Sequence, residues 1–169
     1  MTDDVRPAEF ADADRLGEVH VRVWRETYAD LMPADYLAAL SPIDSAARWR
    51  ARIADPAPGT VTFVATSDGM VVGFATAGPT RDEPPEPPDE LYAVNLLAAH
   101  HGTGLGARLF VTAVDAAAAG RAVSLWVARG NERACAFYRK HGFAPDGRLK
   151  AHHGTGLTEE RWVRPATES

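Results

Sequence analysis

The stretch ELYAVNLLAAHHGTGLG (Glu90–Gly106), running directly into ARLFVTAVDAAAA (Ala107–Ala119), decides the reading of the whole chain. Leu91, Tyr92, Val94, Leu96 and Leu97 have strand character, and three glycines follow in the space of five residues. Leu105, Leu109, Ala113 and Ala116 then recur at helical spacing. A strand, a glycine loop and a helix in that order bring free backbone N–H groups together at a helix N-terminus. Partial positive charge there, with glycines that let the backbone come close, suits a phosphate. We read the loop as a cradle for the diphosphate of a coenzyme.

Around this centre the chain alternates between helical and extended patterns. Val5–Arg6–Pro7 reads as a first strand, and a helix capped by Asp12 or Asp14 runs to about Asp30 with Leu16, Val19, Val23 and Thr27 on one face. Pro33 opens a short helix over Ala34–Leu40, and Ser41–Pro42 restarts the chain into a third over Asp44–Ala54. TVTFVAT (Thr60–Thr66) and MVVGFATA (Met70–Ala77) are β-rich runs joined through Ser67–Asp68–Gly69, a hairpin by its turn chemistry. GPTRDEPPEPPD (Gly78–Asp89) carries five prolines and net negative charge, and is expected to be an exposed flap. Beyond the central helix come a buried-type strand over Ala122–Ala128, a helix over Asn131–His141 stopped by Gly142, a short extended piece at Phe143–Ala144, and a last strand over Thr158–Val163. About seven strands and four or five helices in mixed order predict an α/β sandwich, one domain over residues 1–169, with the central helix crossing between parallel strands. AHHGTGL occurs twice, at Ala99–Leu105 and Ala151–Leu157; the second copy leads into strand-like TEERWV and is read as loop sequence.

Composition narrows the class. With 169 residues, 46% apolar and 24% charged, the chain is an ordinary globular sequence with enough apolar residues for a real core. A net charge of −5 disfavours non-specific nucleic-acid binding. Cys135 stands alone, which excludes an intramolecular disulfide and a cysteine-built zinc site. The histidine pairs His100/His101 and His152/His153 have no carboxylate at metal-ligand spacing, so no metal is expected. No apolar run approaches the roughly 20 residues that span a bilayer, and the acidic N-terminus lacks a signal peptide's apolar core, so a cytoplasmic setting without membrane association is expected. A dinucleotide loop fails at Leu109, where G-x-G-x-x-G wants its third glycine, and Arg108 rules out a Walker A loop.

ELYAVNLLAAHHGTGLGARL, followed by LWVARGNERACAFYRKHGFAPDG, resembles the two signature motifs of the GNAT N-acetyltransferases. These are a strand with Gln/Arg-x-x-Gly-x-Gly/Ala and, downstream, Asn-x-x-Ala-x-x-Phe-Tyr-x-x-x-Gly-Phe. The leading RPAEFADADRLGEVHVRVWRETY is similar to the family's first strand and helix. The resemblance implies a mixed, mostly antiparallel seven-stranded sheet, splayed between strands 4 and 5 and flanked by four to five helices. It implies acetyl-CoA as cosubstrate, with the pyrophosphate on the N–H groups of Gly102, Thr103, Gly104, Leu105, Gly106 and Ala107. His101 stands where the family has Gln or Arg, supplying less positive charge when neutral. By the same resemblance the pantetheine arm bonds to backbone around Val94, Asn95 and Leu96, and an N–H near Leu96 or Leu97 polarises the thioester carbonyl. Asn131 matches the asparagine that bonds this arm or orders its loop. Tyr138 matches the tyrosine that protonates the leaving thiolate, and Glu90, eleven residues before His101, the position of a water-mediated general base. Trp24 and Tyr28 lie on the helix that borders the acceptor pocket, with core packing as their other reading.

The implied activity is acetyl transfer to a primary amine, whether a small metabolite, an amine-bearing antibiotic or a peptide. The alternative is a non-catalytic acyl-CoA-binding sensor or partner module. A homodimer is the assembly expected by analogy.

Overall fold

The computed structural model describes residues 1–167. Seven strands form one sheet: β1 (Asp3–Pro7), β2 (Val61–Ser67), β3 (Met70–Pro79), β4 (Asp89–Leu96), β5 (Val123–Ala128), β6 (Ala144–Ala151) and β7 (Thr158–Arg164). Their order is β1-β2-β3-β4-β5-β7-β6, antiparallel throughout except for the β4–β5 pair. The helices are α1 (Ala13–Tyr28), α2 (Ala34–Ala39), α3 (Pro42–Ala54), α4 (Leu105–Ala118) and α5 (Glu132–Lys140). No helix among the described residues is long and apolar enough to cross a membrane.

Local chemistry accounts for these boundaries. The β2–β3 hairpin turns on Asp68 and Gly69, both at positive φ, as a two-residue primed turn requires. Ser41 Oγ accepts the Asp44 N–H at the start of α3, with Pro42 in its first turn. Asn131 Oδ1 does the same for the Ala134 N–H of α5. Helices α1 and α3 meet so closely that a Cβ on Gly17 would stand 2.4 Å from the Pro42 carbonyl oxygen.

The core lies on both faces of the sheet. Leu16, Val19 and Val23 of α1 and Trp49 of α3 pack on β2 and β3, where Trp49 and Phe74 meet edge to face. On the other face Phe110, Val114 and Ala118 of α4 join Val123, Leu125 and Val127 of β5, Tyr138 of α5, Phe143 and Trp162.

One expectation needs correction and a second gains detail. The extended piece foreseen only at Phe143–Ala144 is an eight-residue strand, APDGRLKA, paired with β7 on either side of an irregularity between Pro145 and Leu149. It is the sheet's outer edge and almost wholly exposed, so no apolar alternation marks it. The proline-rich flap is exposed at its tip but tethered at its base. The Asp82 carboxylate accepts the Trp126 indole N–H (3.1 Å) and pairs with Arg161 (3.2 Å). The second AHHGTGL forms the β6–β7 turn, where His152 lies near Trp24 (5.9 Å between rings) and Tyr36 (6.5 Å).

Candidate active site

The site follows from how β4 parts from β5. The parallel pairing runs only from Asp89, Glu90 and Leu91 to Val123, Ser124 and Leu125. The β3–β4 register then slips, with Thr76 opposite Ala93 and Ala77 opposite Leu91, so Tyr92 is an extra residue that bends β4 away. Past this bulge β4 and β5 diverge and leave a wedge. A cavity of about 500 Å³ fills it, lined by Val94, Asn95 and Leu96 on one side and Trp126 and Val127 on the other. Alternation turns Val127 toward α5 and Trp126 toward α1, so the cavity passes from one face of the sheet to the other.

The register also decides which amides of β4 face this wedge. Leu97 N–H donates to the Val72 carbonyl (3.0 Å), so it is already used by β3. Antiparallel alternation then points the N–H and C=O of Leu96 and Val94 into the wedge. Of the two amides expected near a bound carbonyl, Leu96 or Leu97, the Leu97 donor is spent on β3 and the Leu96 N–H faces the cavity. The Leu96 carbonyl supports the assignment, since it accepts from His101 Nε2 at 2.8 Å.

With Nε2 donating, His101 leaves Nδ1 buried and, among the described residues, without a partner, while the ring lines the cavity. Gly102, Gly104, Gly106 and Ala107 line the same end. Gly102 and Gly104 hold φ of 76° and 87°, and a Cβ on either would meet open space. Gly104 is the N-cap of α4, whose first N–H groups have no intrahelical acceptor. Backbone donors, a helix N-terminus and open space in front of the glycines fit an extended diphosphate. Thr103 and Leu105 belong to the turn without lining the cavity: Thr103 Oγ1 donates to the His100 carbonyl (2.8 Å), and Leu105 is core.

Tyr138 and Tyr28 face one another across the cavity from opposite faces of the sheet. Burial raises the Tyr138 phenol well above its ordinary value, with the Tyr28 hydroxyl adding to the effect. Tyr28 is pushed up to about 12, by burial first and then by the Glu159 carboxylate. Among the described residues no hydrogen bond holds the Tyr138 hydroxyl. Asn131 lines the cavity while its Oδ1 caps α5. Trp24 stands behind this wall, 5.1 Å from the Tyr28 ring, and does not itself line the cavity.

Glu90 is placed elsewhere. It is 1% exposed and outside the cavity lining. Oε2 accepts the Arg81 backbone N–H (2.9 Å) and Nε (3.3 Å), and Oε1 accepts Arg81 Nη2 (2.6 Å). Arg133, Ala134 and Phe137 of α5 and its C-cap residue His141 line the cavity without having been singled out from sequence as site residues. Their signal was present: with Tyr138 they fall at i, i+1, i+4, i+5 and i+8, one helical face. Lys140 joins Arg133 as a second cation of the lining, from the opposite end of α5.

Comparison with known proteins agrees with this geometry. Residues 21–143 match the model of the acetyltransferase (GNAT) family. An uncharacterized N-acetyltransferase of Mycobacterium bovis is 34% identical over 153 residues, covering 85% of this chain and 93% of that protein. An uncharacterized N-acetyltransferase of Bacillus subtilis is 35% identical over 112 residues; that match covers 66% of this chain and 62% of the relative. Among solved structures, the PaiA N-acetyltransferase of Thermoplasma acidophilum in complex with coenzyme A superposes with a TM-score of 0.73 at 19% identity, covering 98% and 99% of the two chains. At that identity the likeness speaks for the fold alone.

Proposed function

The chain belongs to the GNAT family of acetyltransferases, and on that premise we propose that it is an acetyl-CoA-dependent N-acetyltransferase that acylates a primary amine by direct attack. The observation that carries this reading is the wedge between β4 and β5. It presents the free backbone edge of Val94 and Leu96 to one end of a channel whose other end is the glycine turn of α4.

In this reading the backbone N–H groups from Gly102 to Ala107 hold the diphosphate of acetyl-CoA, and Arg133 and Lys140 add cations to the cavity lining. The edge of Val94, Asn95 and Leu96, with Asn131, holds the pantetheine arm. The Leu96 N–H points at the thioester oxygen and stabilises the charge that develops there. The amine lone pair forms the new C–N bond, the C–S bond breaks, and Tyr138 donates its proton to the leaving sulfur. The proton shed by the new amide nitrogen restores the phenol. A phenol raised by burial stays protonated through neutral and mildly alkaline pH, which an acid for a thiolate of ordinary pKa about 8.5 needs.

The base has a different standing. All the hydrogen bonds that reach the Glu90 carboxylate among the described residues come from Arg81, so we assign Glu90 to pinning the flap. The acceptor then loses its first proton to water at the open mouth of the cavity. The reading sets the reaction in the cytoplasm, by a single-domain enzyme.

The test is free-thiol release from acetyl-CoA with a panel of monoamines, diamines, aminoglycosides and peptides. Amine-dependent release with a matching mass gain of one acetyl group supports the reading. Coenzyme binding without transfer to any amine favours the sensor instead.

A further inference from the structure

The α1 side of β5 holds a cation in an unusual setting. Lys150, from the exposed edge strand β6, places its ammonium 4.1 Å from the centroid of the Trp126 ring and 3.9 Å from a Glu159 carboxylate oxygen. Trp126 gives its indole N–H to Asp82, and an indole bonded to a carboxylate at its edge has a more electron-rich face for a cation. Trp126 and Tyr28 line the cavity and Glu159 acts electrostatically on the Tyr28 phenol, so the ring and carboxylate that hold Lys150 adjoin the cavity wall, while Lys150 itself is not part of the lining.

The neighbouring cation is held differently. Arg161 bridges Asp82 (3.2 Å) and Asp146 (2.5 Å), and its side chain is 9% exposed. Lys150 is 43% exposed on a flexible stem, with one long ion pair and one ring as its partners. If it swings into solvent, Glu159 loses its ion-pair partner, while Asp82 keeps Arg161 with Arg81 nearby and Asp146 keeps Arg161 with Arg148 nearby. Behind the Tyr28 part of the wall stands Trp24, with the His152 ring of the second AHHGTGL between it and Tyr36. These half-buried rings, outside the cavity lining, offer an apolar surface to a chain of methylenes.

Resting on the acyl-transfer reading, we propose that Trp126 and Glu159 form a cation subsite for the acceptor. The acceptor class it fits is an aliphatic amine with a second ammonium group, which takes the place Lys150 holds in the free protein. One nitrogen, neutral, attacks the thioester; the other stays protonated on the Trp126 face beside Glu159. Lys150 is then an internal competitor for the substrate.

The experiment compares n-alkylamines with α,ω-diamines of equal length in acetyl transfer by the full chain. It is run at saturating acetyl-CoA, fixed ionic strength and matched free-amine concentration. The diamine is expected to exceed the monoamine in kcat/KM by about tenfold, the scale of one cation–π contact with a carboxylate beside it. Glu159→Gln should remove most of that ratio by raising KM for the diamine. Lys150→Met should move it the other way, lowering KM for the diamine several-fold. A merely structural Lys150–Glu159 pair would make both variants lose, so opposite signs identify the subsite. CoA titrations check that each variant still folds around its coenzyme, and the Lys150 variant keeps the test decisive if the Glu159 variant is unstable. Equal efficiency for the two amine classes, with transfer intact, overturns the subsite and leaves acyl transfer standing. A higher diamine KM in Lys150→Met also overturns it. Transfer to neither class would overturn both.

Discussion

Replacing Glu90 by glutamine separates a buried anchor from a catalytic base. The carboxylate is 1% exposed and receives three hydrogen bonds from Arg81, on both of its oxygens. A carboxamide offers one acceptor and one donor, so an NH2 group would face a guanidinium or amide N–H at one of the two positions. Hydrogen bonds to a charged group are worth about 1.5–3 kcal/mol net. Arg81 is 62% exposed and regains water when released, which limits the loss on its side. The expected cost is about 2 kcal/mol, and a chain of this length then melts about 4–8 °C lower. Turnover by the folded variant at saturating substrates should stay within about threefold of the parent, because a pin outside the cavity lining holds the flap and not the reacting atoms. Losing a general base would cost about 10²–10⁴ in turnover. Thermal denaturation followed by circular dichroism, with steady-state rates well below the new Tm, reads both quantities. A variant that melts like the parent yet turns over a hundredfold more slowly would refute the anchor and restore the base.

Three further outcomes follow from the same geometry. Tyr138→Phe should keep CoA affinity by calorimetry while turnover falls about 10²–10⁴-fold; unchanged turnover removes the phenol from the mechanism. Gly104→Ala puts a methyl group into the open space before α4 at φ 87°, and should cost about 1–2 kcal/mol of stability from backbone strain alone, with weaker CoA binding. His20, largely buried between Trp24, Trp49 and Phe74, has its pKa lowered from 6.5 to about 4 by burial first and then by Arg52 and Arg48. The folded state therefore favours the neutral ring: this contribution is complete above about pH 6.5 and fades as pH falls toward 4, by up to about 3 kcal/mol. Urea unfolding from pH 7 to pH 4 should show that slope, and His20→Phe should flatten it.

What could be read from sequence was what local pattern encodes. The hairpin at Asp68–Gly69 and the strand–glycine–helix passage from Glu90 onward are each written in neighbouring residues, whereas Asp12, read as a possible cap of α1, makes no side-chain cap hydrogen bond there and instead pairs with Arg6. The polar edge strand β6 was not legible, because exposure on both sides erases the period-two signal. The choice of Leu96 over Leu97 as the cavity-facing amide also lay beyond the sequence. It depends on which residues of β3 stand opposite, and on a bulge at Tyr92 that no local motif announces. Glu90 illustrates the same limit: its position matched a catalytic role, while its partner, Arg81, arrives by way of a proline-rich loop. Trp126, Asp82 and Arg161 come together from three separate segments, so their ion network belongs to the tertiary fold alone.

The most direct measurement is an amide-resolved NMR titration of the protein with CoA. The account predicts that the largest shifts, with slowed hydrogen exchange, fall on the amides from Gly102 to Ala107 and on Leu96. Saturable CoA binding that leaves those amides unmoved, with the response centred on another segment, would contradict it.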